Sequence, residues 1–203
     1  NGELRVGVLG RFNASNLLAA LATLLVLDLP LSEALTRLAR TVPVPGRMEQ
    51  LGGEFNQPLA VIDYAHTPHA LEQALGALRE HGGKRLWCVF GCGGGRDPGK
   101  RPLMGAIAER CADQVIVTDD NPRTEDPDRI VVDILAGMQQ PEAVEVIRDR
   151  QAAIAHALAE ATVGDIVLIA GKGHEDYQII GTERRPFSDR AVVQHCLSSQ
   201  HSV

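Results

Sequence analysis

A short polar segment directly after an apolar run carries the side chains best suited to ligand chemistry. It runs from Thr118 to Glu125 and follows 115–117, a predicted buried strand. Pro122 removes a backbone donor and biases Asn121 away from helical geometry, so the polar groups lie on a stiff turn. A carboxylate, an amide and a guanidinium can together bind the carboxylate and ammonium groups of an amino acid. A solvated turn leading into a capped helix is the alternative interpretation.

A glycine-rich segment after the preceding apolar run is the candidate for a phosphate-binding loop. It matches most of G-x-x-x-x-G-K-[ST], but Arg101 occupies the position of the magnesium-binding Ser or Thr. Pro98 removes an amide from the cradle, and the dinucleotide pattern G-x-G-x-x-G fails at Arg96. We therefore reject a phosphate loop and interpret the segment as a turn that presents Arg96. Close backbone packing by the glycines is the alternative.

Two further predicted strands end in polar residues. Asp63 and His66 follow one strand, at a spacing too scattered for a metal pair. Gly171 and Glu175 follow another, where a carbonyl and a carboxylate could accept hydrogen bonds from an ammonium group. No Ser/His/Asp or Cys/His arrangement can be assembled from the sequence. Because ligands of parallel sheets bind beyond the carboxyl ends of the strands, these clusters together indicate one binding site.

The elements that position these clusters form a regular alternation after residue 46. The predicted strands are 59–63, 86–90, 114–117, 144–147, 166–170 and 177–180, and the predicted helices are 68–80, 101–111, 128–138, 151–161 and 189–197. Apolar strands alternating with amphipathic helices indicate an α/β fold with a mostly parallel sheet and helices on both faces.

The first 43 residues follow a different pattern. Residues 3–9 alternate and predict a strand, and Asn13 is predicted to cap a helix over 14–27. This helix is apolar nearly all round and needs neighbours that residues 1–43 do not supply. We therefore expect the segment to be the end of a larger domain and the chain to be truncated. Asn16, inside that helix, needs a polar partner, which a ligand could provide.

Composition narrows the classes of partner. The formal charge of −6, the pI near 5.6 and the aromatic content of 3% argue against nucleic-acid binding. The cysteines show neither paired metal spacing nor a dense disulfide framework, which favours the reducing cytoplasm. The longest apolar run, Leu17 to Leu27, is too short to cross a bilayer, so we expect no membrane insertion.

With these clusters identified, the chain resembles the Mur ligases, ATP-dependent enzymes that build the peptide of bacterial peptidoglycan. The similarity is strongest to their diaminopimelate-adding members. It covers essentially the whole chain, and its motifs occur in the family's order: GRFNASN from Gly10, GRME from Gly46, DYAHTP from Asp63, GCGGGRDPGKRP from Gly91, DDNPRTEDP from Asp119 and GKGHEDYQ from Gly171.

The resemblance implies a division of the chain and a set of cofactors. Residues 1–43 would be the end of the central ATPase domain, with Val42–Gly46 as the linker, and 44–203 the Rossmann-like C-terminal domain that binds the incoming amino acid. ATP and Mg²⁺ are the implied cofactors. Their main sites would lie upstream, so we expect no ligation by this chain alone and assign it no catalytic or metal-binding residue.

The resemblance also implies roles for individual residues. Arg123 would bind the carboxylate that diaminopimelate has and lysine lacks, while Gly171 and Glu175 would bind the ammonium group at the same centre. Asn16 would contact adenine, and Arg47 and Asp63 would reach ATP. The residues implied to bind meso-diaminopimelate are Arg96, Asp120, Asn121, Pro122, Arg123, Gly171 and Glu175.

In the family reaction, ATP converts the D-glutamate carboxylate of UDP-N-acetylmuramoyl-L-alanyl-D-glutamate into an acyl phosphate, which the amine of diaminopimelate attacks. Two alternatives remain open. One is a stand-alone α/β ligand-binding module without catalysis. The other is a folylpolyglutamate synthetase, which the asparagine-proline-arginine turn and the GKGHE segment fit poorly.

Overall fold

The computed structural model describes residues 3–54 and 56–199. The chain divides into two compact units, with the boundary in the sequence between Val44 and Pro45. The first unit contains helices α1 (Arg11–Val26) and α2 (Leu31–Leu38). The predicted strand at 3–9 is wrong, because these residues form no strand pairing. Their alternation has another cause: alternate apolar side chains, together with those of the two helices, line a cavity of about 350 Å³.

Helix α1 differs from its prediction at its start. It begins at Arg11, after Gly10 with a φ of 88°, so Asn13 lies inside the helix and is not its cap. The Asn13 side chain donates to the Leu9 carbonyl at 2.7 Å, whereas an N-cap side chain accepts from a backbone N–H. No residue of α1 is buried within the unit. Asn16 is exposed and donates to Asn13 Oδ1 at 3.3 Å.

The second unit holds the alternating elements. Its strands are β1 (Glu49–Gly52), β2 (Leu59–Asp63), β3 (Leu86–Phe90), β4 (Gln114–Val117), β5 (Glu145–Val146), β6 (Ile166–Ala170), β7 (Tyr177–Ile180) and β8 (Glu183–Pro186). Its helices are α3 (Pro68–His81), α4 (Lys100–Cys111), α5 (Pro127–Leu135), α6 (Arg150–Glu160) and α7 (Asp189–Ser199), with a short 3₁₀ turn at Pro141–Ala143.

Six strands form one sheet in the order β1-β2-β6-β3-β4-β5. All neighbours pair in parallel except β1, which is antiparallel to β2 at the edge. The predicted mostly parallel α/β fold is therefore confirmed. In the register, Asp63 lies opposite Ala170 and Phe90 opposite Val117. The carboxyl ends of β2, β6, β3 and β4 consequently meet at one edge, where the polar clusters follow them.

Helices cover both faces of this sheet. Alternate strand side chains, including Ile62, Val89 and Ile169, form one core with α6 and α7. The intervening side chains of β3 and β6 are also buried, and α3 packs against both strands on the other face. Burial on both faces explains why these strands are continuous apolar runs.

Four strands depart from the predicted pattern. Strand β7 pairs with β8 as a separate hairpin and not as a further strand of the main sheet, and a single parallel bridge joins its Ile180 to Arg123. Strands β1 and β8 were not predicted, because neither has the apolar alternation of a half-buried strand; all of β8 is exposed. Strand β5 is shorter than predicted, with two exposed residues.

Side-chain caps set the starts of three helices that leave this edge, α3, α5 and α6, whereas α4 begins after Gly99 without one. Thr67 accepts from the Ala70 amide and is followed by proline at the first turn of α3. Asp126 caps α5 with the same arrangement, and Asp149 caps α6.

In the part of the chain that the structure describes, no helix has both the length and the apolar character needed to cross a bilayer.

Candidate functional site

The glycine-rich loop after β3 lies directly against the turn after β4. The Gly94 amide donates to the Asn121 carbonyl at 2.9 Å. A Cβ atom on Gly94 would lie 2.0 Å from the Pro122 carbonyl oxygen, and one on Gly91 would lie 2.0 Å from the Thr118 oxygen. No side chain fits at either distance, so these glycines are needed for backbone packing between the two loops.

Arg101, at the position that a phosphate loop gives to Ser or Thr, is a buried structural cation. Its guanidinium binds both oxygens of Glu125, at 2.7 and 2.8 Å, and Asp133 at 2.8 Å. Arg101 and the Gly95 amide hold the pKa of Glu125 at about 2. These charge-assisted contacts tie α4 to the turn and to α5. Arg101 thus links the glycine-rich loop after β3 to the turn after β4.

Arg123 has an unusual backbone and an incompletely paired side chain. Its φ of 54° lies in the left-handed region, where the β7–β8 hairpin holds it. The Arg123 amide donates to the Ile179 carbonyl at 3.0 Å, and the Gly181 amide donates to the Arg123 carbonyl at 2.7 Å. The guanidinium donates only to the carbonyls of Gly94, at 2.9 Å, and Asn121, at 3.3 Å. Among the described residues it has no carboxylate partner.

Four polar residues after β4 and β6 form a second cluster around a buried ammonium group. Lys172 is 0% exposed, and its Nζ donates to Asn121 Oδ1 and the Tyr177 carbonyl, each at 2.9 Å. Asp120 Oδ1 lies 3.2 Å and Glu175 Oε2 3.5 Å from the same nitrogen. The Asn121 amide also donates to Glu175 Oε2 at 2.9 Å. We refer to Lys172, Asp120, Asn121 and Glu175 as the acidic cluster.

The acidic cluster carries an excess of negative charge. Two carboxylates share one ammonium group, which leaves a formal charge of −1. Asp120 is 7% exposed, and its buried Oδ1 has no hydrogen-bond partner within the described residues, since its contact with Lys172 is electrostatic only. A buried carboxylate oxygen without a directed partner favours a positively charged ligand. Asp119 does not contribute, because Arg148 binds both of its oxygens, at 2.7 and 3.0 Å.

These features line one cavity of about 420 Å³ at the carboxyl edge of the sheet. Of the residues predicted to bind an amino acid, the cavity brings together Arg96, Asp120, Asn121, Arg123, Gly171 and Glu175. Pro122 is not among the lining residues; its carbonyl accepts from the Glu125 amide and stiffens the turn. Arg96 is exposed, and no ion pair engages it in the described part of the chain.

The predicted ATP contacts of the second unit lie next to the cavity-lining Tyr64. The Arg47 guanidinium stacks 4.6 Å from the centre of the Tyr64 ring. The Met48 amide donates to Asp63 Oδ2 at 2.9 Å, while burial raises the pKa of that carboxyl group. Tyr64 also contacts the rings of His66 and His174, with centroids 4.6 and 5.4 Å away. Asn16 belongs to the first unit, where α1 exposes it.

Several residues that shape the site were not assigned from the sequence. Lys172, Lys100 and Arg101 are ordinary cations in the sequence, and only their partners distinguish them. Lys100 donates to the His66 carbonyl at 2.8 Å. Fully buried Arg150 binds both oxygens of Asp189 at 2.8 Å and the carbonyl that ends β6 at 3.0 Å. One signal was available: Lys172 stands alone between two glycines directly after a fully buried strand.

The site offers neither a metal centre nor a reactive thiol among its described residues. No three His, Cys, Asp or Glu side chains in residues 3–54 and 56–199 come together in a way that could hold a metal ion. Cys92 is buried in the glycine loop, 3.7 Å from Met104 Sδ, and burial raises the pKa of its thiol to about 12. The cavity is therefore a polar binding site with cationic and acidic groups.

A comparison with known families identifies the class. Residues 46–173 match the model of the Mur ligase glutamate ligase domain, and the chain belongs to the Mur ligase family. Members of this family are ATP-dependent amide-bond ligases. The predicted family is thereby confirmed.

Comparison with individual proteins points to one type of ligase within the family. The chain is 57% identical, over 199 residues, to UDP-N-acetylmuramoyl-L-alanyl-D-glutamate–2,6-diaminopimelate ligase of Chromobacterium violaceum. It is 55% identical, over 196 residues, to the ligase of the same name in Pseudomonas putida. Both alignments cover 97% of this chain but only 40% and 39% of the relatives. The chain thus spans about two-fifths of their length.

Solved structures agree with the fold. A structure of a ligase with this same name superposes with a TM-score of 0.78 at 43% identity, over 98% of this chain and 41% of that one. The folylpolyglutamate synthase of Mycobacterium tuberculosis superposes with a TM-score of 0.66 over 100% of this chain and 42% of that one. Its identity is 19%, so it shows a shared fold alone.

Proposed function

We propose that this chain is the carboxyl-terminal part of a ligase that adds meso-diaminopimelate to UDP-N-acetylmuramoyl-L-alanyl-D-glutamate. Two relatives with that printed activity, at 57% and 55% identity, support the proposal. The observation that carries it is the incompletely paired guanidinium of Arg123, which lines the same cavity as the acidic cluster. Within this assignment, residues 1–43 would be the end of the ATP-binding domain and 44–203 the amino-acid-binding domain.

Arg123 would bind the distal carboxylate of diaminopimelate. Two backbone carbonyls already orient one of its terminal nitrogens, so the planar fork is held in place before the ligand arrives. Arg96, exposed at the same cavity, would add a second positive charge. Lysine has no distal carboxylate and would leave the half-buried guanidinium without an anion. Specificity would therefore come from the penalty that lysine suffers as well as from contacts to diaminopimelate.

The acidic cluster would bind the ammonium group at the same distal centre. Its formal charge of −1 would be neutralised by one ammonium group, and Gly171 and Glu175 both face the cavity. The hydrogen bonds within the cluster fix the direction of the Asn121 amide and of Glu175. With the distal end of the substrate held at two points, the other amine would be confined to attacking geometry. Positioning of this kind is the contribution that we assign to the domain.

ATP and Mg²⁺ would supply the activation of the glutamate carboxylate in the complete ligase. The described residues contain no group that could hold a metal ion, and the glycine loop is filled by backbone packing and by Arg101. Asn16, Arg47 and Asp63 would contact the nucleotide; Arg47 lies against the cavity-lining Tyr64, and Asp63 accepts a hydrogen bond from the amide of buried Met48. A cytoplasmic location, with small-molecule substrates, follows from the proposed reaction.

The test compares meso-diaminopimelate with lysine. The complete ligase, with the UDP-linked substrate and a non-hydrolysable ATP analogue present, is titrated calorimetrically with each amino acid. We expect diaminopimelate to bind about 10- to 100-fold more tightly than lysine, because a hydrogen bond to a charged group is typically worth about 1.5–3 kcal/mol and lysine forgoes at least one. Equal affinity for lysine would contradict the proposal. In a parallel assay with ATP in place of the analogue, binding of diaminopimelate without any ligation would favour the stand-alone module.

A further inference from the structure

Lys172 is the most deeply buried charge beside the cavity, and it is not among the residues that line it. Its side chain is 0% exposed, yet it lies in the loop that directly follows β6. All of its neighbours within ion-pair or hydrogen-bond distance belong to the cavity wall or to the start of the β7–β8 hairpin. A buried ion pair of this kind is weak evidence of a contribution to stability, because desolvation offsets the attraction.

The contacts of Lys172 determine how the acidic cluster faces a ligand. Lys172 and the Ile179 amide both donate to Asn121 Oδ1 at 2.9 Å, and together they direct the amide nitrogen of Asn121 toward Glu175. By lying between Asp120 and Glu175, Lys172 allows two carboxylates to stay close together. The next buried cation, Arg150, binds both oxygens of Asp189 and the Ala170 carbonyl, and it interacts with Asp120 and Glu175 only electrostatically, without a hydrogen bond to either. Lys172 is therefore the only cation among the described residues that holds these three acceptors in place.

We infer that Lys172 is a positioning residue for ammonium recognition, which sets the formal charge of the acidic cluster at −1 and orients Asp120, Asn121 and Glu175 toward one ligand ammonium group. This inference rests on the proposed function, since it names the residue behind one half of substrate recognition. It differs from a purely structural role in one respect: the loss of Lys172 weakens recognition of ammonium groups selectively and leaves recognition of carboxylates intact.

The experiment measures that selectivity in the complete ligase. The probes are meso-diaminopimelate and heptanedioate, which has the same chain and both carboxylates but no ammonium group. Calorimetric affinities for both are measured for the wild-type protein, Lys172→Met and Lys172→Gln, of which the second retains polar donors without the charge. We expect the wild-type protein to prefer diaminopimelate by about 100-fold or more, and both variants to reduce this preference at least tenfold.

Arg85→Met is the matched control. It removes a cation from a paired, fully buried carboxylate, Asp165 at 2.7 Å, but at the amino ends of β3 and β6, at the opposite edge of the sheet. This variant should keep the wild-type preference even if it unfolds at a lower temperature. Heptanedioate affinity should change less than threefold in all variants.

The outcomes separate the two proposals. A wild-type protein that does not prefer diaminopimelate would overturn the proposed function and this inference together. A wild-type preference that survives unchanged in both Lys172 variants would overturn the inference alone. An increased preference would also overturn it, because Lys172 would then be a competitor of the ligand ammonium and not its organiser.

Discussion

Two arginines in neighbouring loops, Arg101 and Arg123, show how one side-chain type takes different roles in a single site. Arg101 is 1% exposed and is bound by two carboxylates through three short contacts. Arg123 is half-buried and bound only by two carbonyl oxygens. Carboxylates of the protein therefore neutralise the positive charge of Arg101. Arg123 is held in position but lacks a counter-ion.

This difference in pairing distinguishes the structural role of Arg101 from the ligand-binding role that we propose for Arg123. Arg101 fastens the glycine loop, the turn and α5 to one another, so its contribution should be measured as stability. Arg123 lies above that support, on a backbone in the left-handed region, and its contribution should be measured as affinity. A site that must bind both an anion and a cation needs charged groups whose partners come from the ligand. It also needs supporting residues whose charges are all already paired within the protein.

Arg123→Ala should have the largest effect on activity. We expect the apparent KM for diaminopimelate in the complete ligase to rise about 100-fold, equivalent to about 2.7 kcal/mol, with the KM for ATP changed less than threefold. Alanine meets the same backbone penalty as arginine at a positive φ, so the substitution removes the guanidinium without changing that strain. Steady-state phosphate release at saturating second substrates measures both constants.

Arg129→Ala is the control, because Arg129 is an exposed arginine on the helix that follows the turn. It should leave both constants within about twofold of the wild-type values, as surface substitutions generally do. An equal, large increase in the KM for both substrates in Arg123→Ala would indicate a general distortion of the site. That outcome would remove the distinction between the two arginines.

Arg101→Met should lower stability more than affinity. Breaking a buried ion pair costs about 3–5 kcal/mol, and the partial exposure of both carboxylates reduces our expectation to about 2 kcal/mol. Urea unfolding monitored by circular dichroism gives the free energy. Arg110→Met on the same helix removes an exposed pair with Glu72 and should cost less than about 1 kcal/mol. An Arg101→Met protein as stable as the wild type would show that Arg101 is dispensable as a support.

The smallest expected effect is a pH dependence that comes from Glu125. Its pKa is lowered from the usual 4.5 to about 2 in the folded protein, chiefly by Arg101. A lowered pKa means that the ionised group stabilises the fold above pH 4.5 and loses this effect as the pH falls toward 2. The difference in unfolding free energy between the wild type and Glu125→Gln should be constant above about pH 5.5 and shrink below pH 4.5. A difference that is independent of pH would contradict the pairing with Arg101.

Local patterns determined much of the second unit. The apolar runs at 59–63, 86–90, 114–117 and 166–170 are strands with those same bounds, because burial on both faces leaves a continuous apolar signal. The shared edge of the polar clusters follows from parallel pairing alone. The strand predicted at 3–9 is absent, because an alternating pattern indicates which side chains face an apolar surface and not whether the backbone has a pairing partner.

The sequence by itself determined the α/β fold class and the edge of the sheet at which the polar clusters meet, and it predicted an amino-acid-binding turn from Thr118 to Glu125. Only the tertiary structure decided which charges are already paired. Arg101 and Arg123 cannot be told apart by residue type, nor Lys172 from a solvated lysine, because hydrogen-bond partners that lie up to 51 residues away in the chain set their environment. Pairing is a property of distance in space, and it divides the charges of this cavity into its support and its binding groups.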